Sequence, residues 1–110
     1  MLPASVRILV CTQPQDMRRS FDMLAQVVRA LGEDPQSGAL YVFTGKSPAR
    51  VKVLWWDRNG YCLLYKRLHG ALFRRPEGSV PSVQIDAKGL AELLAGVAAE
   101  KAGRSRKDMH

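Results

Sequence analysis

Between Arg50 and Arg75 the chain interleaves cations with aromatic rings. Lys52, Trp56, Arg58, Tyr65 and Arg67 fall on alternate positions of two apolar runs, and Arg74 follows. Aromatic faces stack on bases while ammonium and guanidinium groups meet phosphates, so these types on one surface suit nucleic acid. Arg18 and Arg19 add two adjacent cations upstream. These eight residues are the candidate contacts with nucleic acid. Bond-breaking chemistry has less to draw on. The six Asp and four Glu are scattered, and several have local tasks: Asp16 and Asp86 as helix caps, Asp34 and Asp57 in turns. A two-metal site needs acidic groups converging on one pocket. His69, His110, Cys11 and Cys62 do not make a zinc spacing. Neither GxxxxGK[ST] nor GxGxxG occurs, and Ser47, Ser79 and Ser82 have no identifiable histidine base. The residues therefore read as a non-catalytic protein with no metal and no cofactor.

The element that must position the candidates is a hairpin. Runs of β-branched, aromatic and leucine residues flank Asp57-Arg58-Asn59-Gly60, and Asn-Gly between such runs is a strong signal for a two-residue turn. With Asn59 and Gly60 at the tip, Arg58 pairs with Tyr61, Trp56 with Leu63 and Leu54 with Tyr65. Alternation then gives two surfaces. One carries Val51, Val53, Trp55, Cys62, Leu64 and Leu68, and reads as core. The other carries Lys52, Leu54, Trp56, Arg58, Tyr61, Leu63, Tyr65 and Arg67, and is the contact surface expected for nucleic acid. The competing arrangement is a sheet packed on both sides, with Leu54, Trp56 and Leu63 under a second helix and the cations snorkelling at its rim. A slip of one residue would regroup the faces altogether.

The remaining elements follow from periodicity and punctuation. Val6–Cys11 predicts a first strand, stopped by Pro14. Asp16 predicts a helix N-cap, with Met17, Phe21, Leu24, Val28 and Leu31 as one apolar stripe and Gly32 as the terminator. Leu40–Thr44 predicts a second strand, Ala71–Arg74 a further one, and Val83–Ile85 a short edge strand. Asp86 predicts the cap of a second helix bearing Leu90, Leu93, Leu94 and Val97, with Gly89 and Gly96 inside it and its end near Lys101. The order β-α-β-β-β-(β)-α implies an α+β fold: an antiparallel sheet of four to five strands with a central hairpin and two helices packed on it. Residues 1–102 read as a single domain and 103–110 as a basic flexible tail.

Of the 110 residues, 17 are Lys or Arg against 10 Asp or Glu, a net charge of +7. Seven cations and one anion between Arg50 and Arg75 leave +6 there, nearly the whole excess. Such a field favours nucleic acid, acidic proteins or anionic lipid without choosing among them. The two cysteines lie in apolar strand-like runs and read as reduced thiols. Val6–Val10 is too short for a signal peptide or a membrane span, which points to a soluble cytoplasmic protein with no membrane partner.

Four blocks taken together carry a family resemblance: DMRRSFDMLA (Asp16 to Ala25), LGEDPQSGALYVF (Leu31 to Phe43), RVKVLWWDRNGYCLLYKRL (Arg50 to Leu68) and ALFRRP (Ala71 to Pro76). In this order they resemble the TnpB-type, second-open-reading-frame accessory proteins of bacterial insertion sequences of the IS sixty-six family. The resemblance runs from about Val6 to Leu94. It implies a mobile-element protein that assists a separate transposase without carrying the strand-transfer site, and it marks Arg18, Arg19, Trp56, Asp57, Gly60, Lys66 and Arg67 as motif positions. Two modes of action fit: direct DNA binding, or protein docking, either onto the transposase or onto a second copy of the chain, where aromatics with arginine also suit an interface hot spot.

Overall fold

The computed structural model describes residues 5–99; the tail expected from 103 lies outside the described residues. The chain runs β1 (Ile8–Cys11), α1 (Phe21–Ala30), β2 (Leu40–Thr44), β3 (Arg50–Asp57), β4 (Gly60–Arg67), β5 (Ala71–Leu72), β6 (Ser82–Ile85), α2 (Ala87–Ala95) and β7 (Val97–Ala98). Five strands form one sheet in the order β4-β3-β2-β1-β6, and β5 pairs with β7 in a separate small one. The α+β class holds, with two helices and a five-stranded sheet. That sheet is mixed: β1 and β2 run parallel because α1 carries the chain across between them, as a parallel pair requires. The other pairings are antiparallel. The β3–β4 hairpin forms one edge of the sheet and the short β6 the other.

Both faces of the sheet are covered. β1 (ILVC) and β2 (LYVFT) are continuous buried runs, the signature of strands with helices on each side. On one face Leu24, Ala25 and Val28 of α1 pack with Leu9, Cys11, Tyr41, Phe43 and Leu54. On the other Leu90 and Leu93 of α2 pack with Ile8, Val10, Leu40, Val42, Val51, Val53 and Phe73. The hairpin surface expected to face a polyanion is therefore the α1 side, and much of it is sealed. Leu54 is fully buried, and Trp56, Tyr61 and Leu63 are half-buried. The covered-sheet arrangement describes this middle stretch, because α1 needs the apolar positions of β3 to complete its core.

Local signals explain where other boundaries moved. Helix α1 starts at Phe21 with Ser20 before it, not at Asp16. The Asp16 carboxylate instead accepts the Arg18 backbone N–H at 2.9 Å, closing a separate turn. Gly32 does terminate the helix, at φ +82°: the Glu33 N–H donates to Val28 O and the Gly32 N–H to Arg29 O, a Schellman motif. Asp86 does cap α2, accepting the Gly89 N–H at 2.7 Å. That helix stops at Ala95 rather than near Lys101, since Gly96 takes φ +73° and turns Val97 into β7. A Cβ at Gly96 would stand 2.5 Å from Leu68 Cδ1 and 2.9 Å from Leu72 O, so the close approach of β5 requires glycine.

The hairpin turn also shifts. Asp57 opposes Gly60, Trp56 opposes Tyr61, Leu54 opposes Leu63 and Lys52 opposes Tyr65. The loop is thus Arg58-Asn59, one residue earlier than Asn59-Gly60. Arg58 takes φ +52°, and the Asn59 N–H bonds to Asp57 O across it, as in a γ-turn. This register gains an edge-on Trp56–Tyr61 pair with ring centroids 5.0 Å apart and a Lys52–Tyr65 contact, offsetting a left-handed arginine. Moving the loop by one residue displaces each cross-strand partner by two, so the grouping of faces survives unchanged.

Candidate nucleic-acid interface

Four cations and one ring of the expected set meet at the open end of the hairpin, beside the ends of β1 and β2. Lys52 and Tyr65 are directly opposed, and two residue pairs further, on the same face, Arg67 is opposed by Arg50. Like charges placed directly across a strand pair repel, with Cα atoms about 4.5–5.5 Å apart. No carboxylate relieves them: the ion pairs among the described residues are Arg7–Glu33 and Arg18–Asp16. Arg50 and Arg67 are exposed, Tyr65 is 50% exposed, and the three line an open depression of about 300 Å³. The arrangement can accept an anion between two guanidinium groups, with an aromatic face beside it for a base or sugar.

Lys52 has a different place from the one expected. It is only 6% exposed, so it is not free to meet a phosphate. Its Nζ donates to Arg19 O at 2.6 Å and lies 4.8 Å from the centre of the Tyr65 ring. The buried ammonium is satisfied by a carbonyl and a π face. It ties the loop between β1 and α1 to the hairpin, and so sets Arg18 and Arg19 beside Tyr65. Arg19 is half-buried and donates to Gln15 Oε1 at 2.9 Å. Gln15 is held in turn through its N–H to Thr44 O. Arg18 is highly exposed, with its guanidinium 2.6 Å from the Asp16 carboxylate. Hydrogen bonds from the Arg18 side chain, then from its backbone N–H, hold the Asp16 carboxyl well below the usual carboxylate range, and the same contact raises Arg18. Arg18 thus carries its own counter-charge, whereas Arg50 and Arg67 do not.

The other candidates lie elsewhere. Trp56 and Arg58 sit at the far end of the hairpin, about 20–25 Å from Arg67 at the rise of a strand. Trp56 is half-buried against Tyr61, and Arg58 is exposed at the tip. Arg74 is exposed on the α2 side, lining a depression with Pro76, Ile85 and Glu92. The eight residues are therefore not one surface. Sequence reasoning missed Arg50, whose role depends on the register: with Asn59-Gly60 as the loop it would have faced His69. Lys46, exposed in the loop after β2, lies at the same end of the sheet.

Among the described residues no three of His, Cys, Asp and Glu converge as metal ligands. Cys11 and Cys62 are free thiols. No helix among the described residues is long and apolar enough to cross a membrane.

Comparison with known proteins places this geometry in context. The profile of IS66 Orf2-like proteins matches residues 6–104. Two proteins of Sinorhizobium fredii (strain NBRC 101917 / NGR234) are similar along most of their length. The uncharacterized protein y4hO is 38% identical over 100 residues, covering 88% of this chain and 87% of its own. The uncharacterized protein y4jC is 33% identical over 93 residues, covering 84% and 80%. No solved structure matches.

Proposed function

Because this chain belongs to the IS66 Orf2-like family, whose members serve transposition as accessory proteins, we propose that it does so by binding DNA at the open end of its hairpin. Arg50 and Arg67 grip a backbone phosphate, Arg19 meets a neighbouring one, and Tyr65 packs on the exposed sugar or base. Lys52 holds the ring and the Arg18–Arg19 loop in place without touching DNA. The observation that carries this reading is the opposed Arg50–Arg67 pair, left without a carboxylate beside a half-exposed tyrosine. An arriving phosphate turns its repulsion into a two-pronged contact. The protein contributes grip and position, not bond cleavage, and phosphate contacts of this kind do not name bases.

Gel shifts of element-end and random duplexes across a salt series test the proposal. Two neutralised phosphates give a slope of log affinity on log salt near −1.8, from about −0.9 per phosphate. Removing Arg50 and Arg67 together, which gives up their shared phosphate, should flatten it by about 0.9. A flat salt response, or binding indifferent to both substitutions, overturns the site. Co-purification with the element's transposase after nuclease treatment separates this reading from protein docking, because a DNA-bridged association is lost.

A further inference from the structure

The two edges of the sheet are built differently. β6 has four residues and follows Pro81, a short and blunted edge of the kind that resists further pairing. β4 has eight residues in unbroken register with β3, with no proline and no bulge. Six of them in succession, Gly60 to Tyr65, carry no charge. The Leu68 N–H bonds to Ala49 O, which fixes the even-numbered positions of β4 as those bonded to β3. The amides and carbonyls of Tyr61, Leu63, Tyr65 and Arg67 therefore point outward, and no strand among the described residues meets them.

An apolar groove adjoins this edge on the α2 side. Val6, Leu40, Val53, Trp55, Leu64 and Leu94 line about 360 Å³ of it, and Leu64, on the edge strand itself, is 40% exposed. A long uncharged edge beside an apolar groove invites uncontrolled strand addition unless something specific closes it.

We propose that a second copy of this chain closes it, β4 against β4 and antiparallel, giving one ten-stranded sheet. Charge selects the occupant and its direction. Among the described residues no acid pairs with Arg50, Lys66 or Arg67 at the open end of the hairpin, while the tip holds Asp57 beside Arg58. Antiparallel pairing sets each cationic end against the other copy's tip, whereas parallel pairing would stack cation on cation. A two-fold axis near Leu63 makes the contact self-complementary, and each copy uses its β4 edge once. An edge of about 26 Å on a domain whose shortest dimension is 25 Å offers up to roughly 650 Å² per copy, and two such surfaces together reach the lower part of the stable range, about 1,200–2,000 Å². The axis stands perpendicular to the sheet, so both α1 layers share one side. The dimer stands or falls without nucleic acid.

Sedimentation equilibrium on the DNA-free protein across a wide concentration range tests this, together with amide exchange. A monomer–dimer equilibrium is expected, with concentration-dependent protection of the Leu63 and Tyr65 amides. Leu64→Arg places like charges near the axis at an exposed position and should raise the dimer dissociation constant at least tenfold while the thermal transition persists. A protein that stays monomeric throughout overturns the proposal, whether those amides exchange freely or are covered by the chain's own segments. A dimer that Leu64→Arg leaves intact overturns it too, since its contact then lies elsewhere.

Discussion

The two halves of the β3–β4 hairpin look alike in sequence and differ in use. Each alternates rings with cations on the α1 side. Towards the tip Trp56 and Tyr61 pack edge to face, and Leu54 and Leu63 sit in the α1 layer. At the open end Arg50 and Arg67 face each other beside a Tyr65 that α1 leaves half uncovered. Alternation says which side of a sheet a residue occupies. It does not say how far along that side a ten-residue helix reaches, and that reach separates packing from contact.

The comparison breaks most visibly in stability. Leu54→Ala empties a fully buried position beneath α1 and should cost about 2–5 kcal/mol in urea unfolding, whereas Tyr65→Ala, at a half-exposed position, should cost far less. Equal losses would mean that α1 covers both halves alike. Next in size is Gly96→Ala, at about 1–3 kcal/mol, where positive φ combines with a clash against Leu72 O. Its thermal midpoint should fall while DNA affinity, measured below the transition, stays unchanged.

Much of the fold was legible because its signals were local. Asp86 caps its helix and Gly32 ends the other as their types require, and the parity of the hairpin faces follows from alternation alone. What was not legible depended on distant partners. Asp16 carries the signature of a cap, but its carboxylate is taken by Arg18 two residues on. Gly96 read as a weak spot within a helix, whereas the approach of β5 makes it the stop. Of the candidate site, Tyr65 and Arg67 were named from type and spacing and Arg19 from its motif, and the fold sets the three at one end of the hairpin. Lys52 was found for the wrong task, since only the folded loop supplies the carbonyl that takes its ammonium. Arg50 was missed because its partner depends on a turn displaced by one residue.

Binding sharpens the same contrast. Arg50→Ala with Arg67→Ala should weaken DNA binding at least tenfold at moderate salt. Stability should stay within about 0.5 kcal/mol, with any change a gain, because an unfavourable cross-strand pair is removed. Arg58→Ala at the tip should leave affinity nearly unchanged. If Arg58 matters as much as Arg67, the whole hairpin length meets DNA and the division into two halves fails.

The smallest effect is also at the tip. Arg58 is the one non-glycine residue with positive φ among the described residues. A left-handed conformation costs an ordinary residue about 1–2 kcal/mol. Glycine avoids that cost but gives the unfolded chain more freedom, which returns about 0.4–1 kcal/mol. Arg58→Gly should therefore stabilise the domain by roughly half a kcal/mol, read as a small rise in the urea midpoint at unchanged slope. A loss of stability would show that the arginine side chain makes up for its backbone. The tip would then be a contact in its own right, and not a turn displaced by the Trp56–Tyr61 pair behind it.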